Sequence, residues 1–171
     1  MLEDHDLKSY PMSIGRVAEA LGIEVVQYSK LPAEVRKSAL MVSDDAFIVS
    51  NDDYTVTRMA VNDTGGSYHY RARFSGGHEI GHIYLGHGEN TPNREEEADY
   101  FSGYLLAPHP LVIARRRDCQ VSEVFGISAR CANRALRQSA VRRMEGGTWR
   151  PHEIWLIKNH VWEGGGLLGR A

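Results

Sequence analysis

RFSGGHEIGHIYLGH, residues 73–87, carries the pattern His78-Glu79-x-x-His82. On an α-helix, residues four apart differ by about 40° in direction, so the two imidazoles project from one face. Both can then reach one ion at about 2.0–2.1 Å. Glu79 sits one step round the helix, beside such an ion, where a base for an attacking water belongs. Composition alone would produce the pattern about 0.03 times in a chain like this, which weighs against a surface helix with two solvated histidines. The spacing predicts a helix over 67–87 despite Gly76 and Gly77. Each glycine costs about 1 kcal/mol in a helix, a cost that is tolerable where another backbone passes close by.

A zinc site of this kind needs a third protein ligand and an open fourth position. His87 is nearest in sequence. On a continuing helix it points about 140° away from His82, which suits capping or packing at the helix end. Leu85 and Gly88 stand where the longer HExxHxxGxxH pattern would need glycine and histidine. A second helix opens at Thr91-Pro92, an N-cap followed by proline at the first helical position. Successive residues turn by about 100°, so Glu95, Glu96 and Glu97 cannot all face one ion. Glu95 and Asp99 form an i,i+4 pair. Glu95 would supply the ligand, and Asp99 would accept a hydrogen bond from a ligand imidazole. Glu97 is expected to point to the opposite side.

Around these helices the sequence predicts an α+β fold, a small antiparallel sheet packed on helices. Ser13 caps a helix that Gly22 ends, and IEVVQY (23–28) reads as a strand. SALMVS (38–43) and AFIVS (46–50) flank Asp44-Asp45 as a hairpin, and YTVTRMAV (54–61) reads either as a further strand or as an insert. Helices are expected at 110–117, 121–126 and 128–144, with a last one from Pro151, before a tail GGGLLGRA. The expected organisation is a core over 1–113 and a helical extension over 114–171, packed together as one compact domain. Residues 121–144 have a helix-turn-helix outline.

The net charge of −2 hides an asymmetry. Residues 1–113 hold 9 Lys+Arg against 17 Asp+Glu, whereas residues 114–150 hold 9 Arg against 3 acids. Two surfaces with different partners would account for this, as would a solvated helix face. No apolar run approaches the roughly 18 residues a membrane helix needs. The N-terminal MLEDHD lacks the basic-then-apolar design of a signal peptide. Cys119 and Cys131 fit neither a Cys-x-x-Cys zinc pattern nor a disulfide framework, so a reducing cytoplasm is the expected compartment.

RFSGGHEIGHIYLGH followed by EEEADYFSGYLLAP resembles the ImmA/IrrE family of zinc metallopeptidases. The matching positions are Arg73, Phe74, His78, Glu79, Gly81, His82, Glu95, Asp99, Phe101, Leu105, Leu106 and Pro108. VFGISARCANRALRQ resembles the family's segment before an arginine-bearing helix, so the likeness spans about residues 13–145. It implies Zn2+ held by His78, His82 and Glu95, with Glu79 as general base. It also implies a protein substrate, a helix-turn-helix transcriptional repressor of a mobile element or stress system. Tyr68, His69, Tyr70, Tyr104, His109, His152 and His160 are all available as oxyanion donors. AFIVS could be a sheet edge for an extended substrate.

Two other readings compete. Residues 121–144, with Arg130, Arg134 and Arg137 along one side, outline a DNA-binding regulator. Val124, Phe125, Ile127, Cys131, Ala135 and Leu136 read equally well as core, and direct nucleic-acid binding is not expected. A non-cleaving module that sequesters a regulator is the other reading, although Glu79 and both histidines are present.

Overall fold

The computed structural model describes residues 1–51, 57–64, 69–88, 91–115 and 118–163. The chain divides into two compact units, residues 14–102 and residues 1–13 together with 103–171.

The first unit is built on β-prone segments. AFIVS, Ala46–Ser50 (β3), pairs antiparallel with Thr57–Val61 (β4), in register from Ala46 opposite Val61 to Ser50 opposite Thr57. Glu24–Gln27 (β2) adds to the other side of β4 in parallel, so the order is β2-β4-β3 and β3 is an edge. Helix α1, Ile14–Ala20, turns its buried Ile14, Val17 and Ala18 inward, and Gly22 at φ +74° lets the chain reverse into β2. Asn62 fastens the end of β4. Its backbone N–H donates to Asp45 C=O at 2.8 Å, and its side-chain amide donates to Asp44 C=O at 2.7 Å.

The hairpin expected at 38–50 is not formed. Residues 38–42 close helix α2, Ala33–Val42, and the antiparallel partner of β3 is β4. Pro32 stands at the N-cap, where its fixed φ suits a helix start, and Ala33, Glu34, Arg36 and Lys37 are good helix formers. Helix α2 packs thinly: Ala39 is buried, while Met41 and Val42 are exposed. The fully buried Tyr28, in the 3₁₀ turn Tyr28–Lys30, donates its hydroxyl to Ser43 C=O at 2.9 Å.

Helix α3, His69–Tyr84, lies on β3 and β4, and helix α4 covers Pro92–Leu106. Glycines permit their close approach. A Cβ on Gly77 would lie 2.6 Å from Ser102 Oγ and 3.3 Å from Ser102 Cβ. One on Gly81 would lie 3.2 Å from Ala98 Cα and 3.1 Å from the Phe101 ring. The two glycines that looked costly in the sequence, Gly76 and Gly77, are thus both buried, with Gly76 set against Ile14 and Met59.

The second unit is mostly helical. Ser9–Tyr10 (β1) pairs in parallel with Val161–Trp162 (β5), a pairing no sequence pattern announced. Helices α5 (His109–Ala114), α6 (Val121–Phe125), α7 (Ala129–Glu145) and α8 (Pro151–Asn159) follow one another, and α5 packs on both α7 and α8. Gly126 at φ +58° ends α6, and Ser128 caps α7 by accepting from the Cys131 N–H at 3.2 Å. Val121, Val124, Phe125, Ile127, Ala132 and Ala135 are buried, whereas Leu136 is 38% exposed rather than core. Tyr10, Phe125 and Trp162 form an aromatic cluster with ring centroids 5.3–6.0 Å apart. The expected helix over 110–117 ends at Ala114; positions 116–117 and the tail from 164 lie outside the described residues.

Candidate metal centre

All of the residues that form this centre lie in the first unit. His78 and His82 project from one face of α3, and α4 presents Glu95 to them from its first turn. His78 Nε2 and His82 Nε2 are 2.9 Å apart. The Glu95 carboxylate oxygens lie 3.2 Å from His78 Nε2 and 3.3 Å from His82 Nε2. Donors held tetrahedrally by bonds of about 2.0–2.1 Å must sit about 3.3 Å from one another. The three separations fit one such ion.

Proton bookkeeping points the same way. His78 Nδ1 lies 3.0 Å from Asp99 Oδ1, a carboxylate that can only accept when ionised. The proton of a neutral His78 therefore sits on Nδ1, and Nε2 offers a lone pair to the cluster. Two imidazole nitrogens and a carboxylate, with a second carboxylate behind one ring, suit a divalent cation of zinc's character.

Glu79 is partly buried next to this cluster. Burial pushes its carboxyl pKa up; His78 pulls it down by less than that, and the Glu95 carboxylate adds a still smaller push upward. A raised pKa makes Glu79 a better proton acceptor at neutral pH. Burial is also the main cause that pushes the His82 imidazole pKa down, which favours the neutral, ligating form.

The helix expected to run to His87 stops at Tyr84. Gly86 takes φ +69°, its N–H donates to Ile83 C=O at 3.1 Å, and the His87 N–H donates to His82 C=O at 2.9 Å. This pair of bonds is a Schellman turn, which reverses the chain and returns the residue after glycine onto the last helical turn. His87 is thereby folded back on His82 instead of pointing away, with Nδ1 to Nδ1 at 3.0 Å. Glu97 does leave the ligand cluster, as expected for its helical position, and it meets His87 Nε2 at 3.0 Å. Sequence reasoning missed this contact by continuing the helix through Gly86.

The candidate oxyanion donors are scattered. Tyr104, His109, His152 and His160 belong to the second unit, where the Tyr104 ring lies 5.0 Å from His109 and 6.1 Å from His152. Tyr70, on the first turn of α3, is exposed. Tyr68 and the His69 side chain lie outside the described residues.

A helix bearing two histidines, crossed closely by a second helix that brings a carboxylate and laid on a small sheet, is the arrangement of a metallopeptidase centre. Residues 18–137 match the family model described as the IrrE N-terminal-like domain, a peptidase family. The chain belongs to this family, the ImmA/IrrE metallopeptidases. Comparison with curated proteins and with solved structures found no match. Membership implies a protein substrate, and no helix among the described residues is long and apolar enough to cross a membrane.

Proposed function

We propose that this protein is a cytoplasmic, zinc-dependent endopeptidase that hydrolyses a bond in one specific protein. The observation that carries this reading is the convergence of His78, His82 and Glu95, whose ligand atoms all lie within 4.8 Å of one another, with Glu79 next to His78 in the sequence. In this reading His78, His82 and Glu95 hold the ion and Asp99 orients His78. A bound zinc supplies Lewis-acid activation of water and of the scissile carbonyl. Glu79 accepts the proton of the attacking water and delivers it to the leaving amine. Edge strand β3 supplies backbone groups to which an extended substrate segment can pair.

Narrow specificity requires recognition of the partner beyond the residues that flank the scissile bond. Binding energy from a large folded partner would then position the scissile bond, and short generic peptides would be poor substrates. The family likeness points to a helix-turn-helix repressor of a mobile element or stress system as that partner. The exposed Arg130 and Arg137 of α7 give it a cationic surface to meet.

The test is incubation of the zinc-loaded protein with the product of the neighbouring repressor gene, with cuts mapped by mass spectrometry. Cleavage at one site, abolished in Glu79→Gln, is the expected result. Efficient digestion of casein would contradict the narrow specificity. Tight, zinc-independent binding without cleavage would make the protein a sequestering module instead.

A further inference from the structure

We propose that His87 and Glu97 form a two-step buttress that positions His82, an imidazole-spaced counterpart of the direct support Asp99 gives His78. The inference rests on the metal-site reading above and concerns residues that reading leaves without a role.

The proton positions follow from the ligand set. If His82 Nε2 is to offer its lone pair to an ion, the proton of the neutral ring must lie on Nδ1. That Nδ1–H faces His87 Nδ1 at 3.0 Å, so His87 Nδ1 accepts. The His87 proton is then on Nε2, where it meets the Glu97 carboxylate oxygen at 3.0 Å. Glu97 accepts, His87 donates at one nitrogen and accepts at the other, and His82 donates behind its metal-facing nitrogen. Each link has one sensible direction. Reversing the middle one would place a proton on the nitrogen that faces Glu95 and His78.

The fold supports this arrangement independently of the hydrogen bonds. The Schellman turn at Gly86 fixes the backbone of His87 against that of His82. The His87 side chain is 6% exposed, so its contact with His82 is shielded from competing water, whereas Glu97 at 61% exposed stays hydrated. In such turns the residue after glycine frequently makes an apolar contact with the last helical turn. Here that contact is between two imidazoles.

Partners behind a ligating histidine typically change metal affinity by about 10–100-fold. Zinc affinity should be measured by competition with a chromophoric chelator. The expected order is parent tightest, then Glu97→Ala, then His87→Leu at about 10–100-fold weaker. His87→Asn should recover much of the loss, because its side-chain carbonyl oxygen can accept near the position of the imidazole Nδ1. Long-range proton–nitrogen NMR of the zinc-loaded parent should find the His87 proton on Nε2 and a slowly exchanging His82 Nδ1 proton. That His82 signal should be lost to exchange in His87→Leu. Glu97 is exposed, so its variant tests the relay even if His87→Leu folds poorly. A parent that takes up no zinc would overturn the metal reading and the buttress together. A parent that binds zinc, with His87→Leu and Glu97→Ala binding it equally tightly or with the His87 proton on Nδ1, would overturn the buttress alone.

Discussion

His82 and Gly86 illustrate how differently single positions speak. The histidine pair was legible from spacing alone, because four residues is just over one helical turn and two imidazoles on one face have few other uses. Removing either donor should remove the ion. His82→Ala is expected to lose bound zinc on elemental analysis, and full retention would refute the site. Glu95→Ala should behave likewise, and Glu97→Ala should not release the metal outright. Gly86 was not legible in the same way, since its meaning depends on backbone sign and not on side-chain chemistry. At φ +69° an alanine is strained by about 1–2 kcal/mol. Gly86→Ala should therefore lower stability by about 1 kcal/mol and weaken zinc binding by displacing His87. Gly88→Ala is the control, since it has no left-handed φ and a Cβ there meets nothing within 4 Å. Equal effects of the two substitutions in chemical denaturation and zinc titration would sink the argument.

Helix α3 can reach α4 only along a face that has lost its side chains. Helix propensity taken alone predicts that Gly77→Ala gains about 1 kcal/mol. Packing predicts the opposite, a loss of about 1–3 kcal/mol, because the new methyl would lie 2.6 Å from Ser102 Oγ. The double change Gly77→Ala with Ser102→Gly should recover most of that loss, and a strictly additive double-mutant cycle would contradict it. The carboxylate partner of the histidines was predictable from helical phase at 95 and 99; the glycine face that delivers it was visible only as an unexplained cost. SALMVS was misread for a related reason, since a short apolar run has no period that separates strand from helix, and Pro32 upstream decides the matter. Helices α7 and α8 are joined by a different device. Arg142 donates from Nε and Nη2 to the two oxygens of Glu153 at 3.1 and 2.9 Å, and the Arg150 N–H donates to the same carboxylate at 2.7 Å. Burial alone would raise the Glu153 pKa, but these donors outweigh it and hold the carboxyl below its ordinary value. A depressed folded pKa contributes stability above the unfolded value of about 4.3 and loses it as pH falls through the folded one. Glu153→Gln should lower the urea midpoint at pH 7 and flatten its decline below about pH 4.5. A constant gap between parent and variant from pH 7 to pH 3 would refute the ionic role.

The fold class was readable from element order, but the β1–β5 pairing was not, because two-residue strands carry no periodic signal and their partner is distant. Ser9 and Tyr10 meet Val161 and Trp162, with the Val161 N–H donating to Lys8 C=O at 2.8 Å and the Glu163 N–H to Tyr10 C=O at 2.7 Å. Tyr10 is fully buried in the cluster with Phe125 and Trp162. Trp162→Ala should cost about 3 kcal/mol by emptying one side of that cluster. The pairing also has a kinetic consequence. It closes a loop spanning nearly the whole sequence, and chain entropy opposes such closure until the intervening helices have shortened the distance to be searched. The parallel pair should therefore be absent from the transition state for folding. Trp162→Ala should speed unfolding by nearly its full equilibrium effect and leave the refolding rate almost unchanged in stopped-flow chevrons. A marked slowing of refolding would instead make this contact an early event. If it forms last, the pairing of β1 with β5 acts as a latch, and the lifetime of the native state is set by how rarely that latch opens.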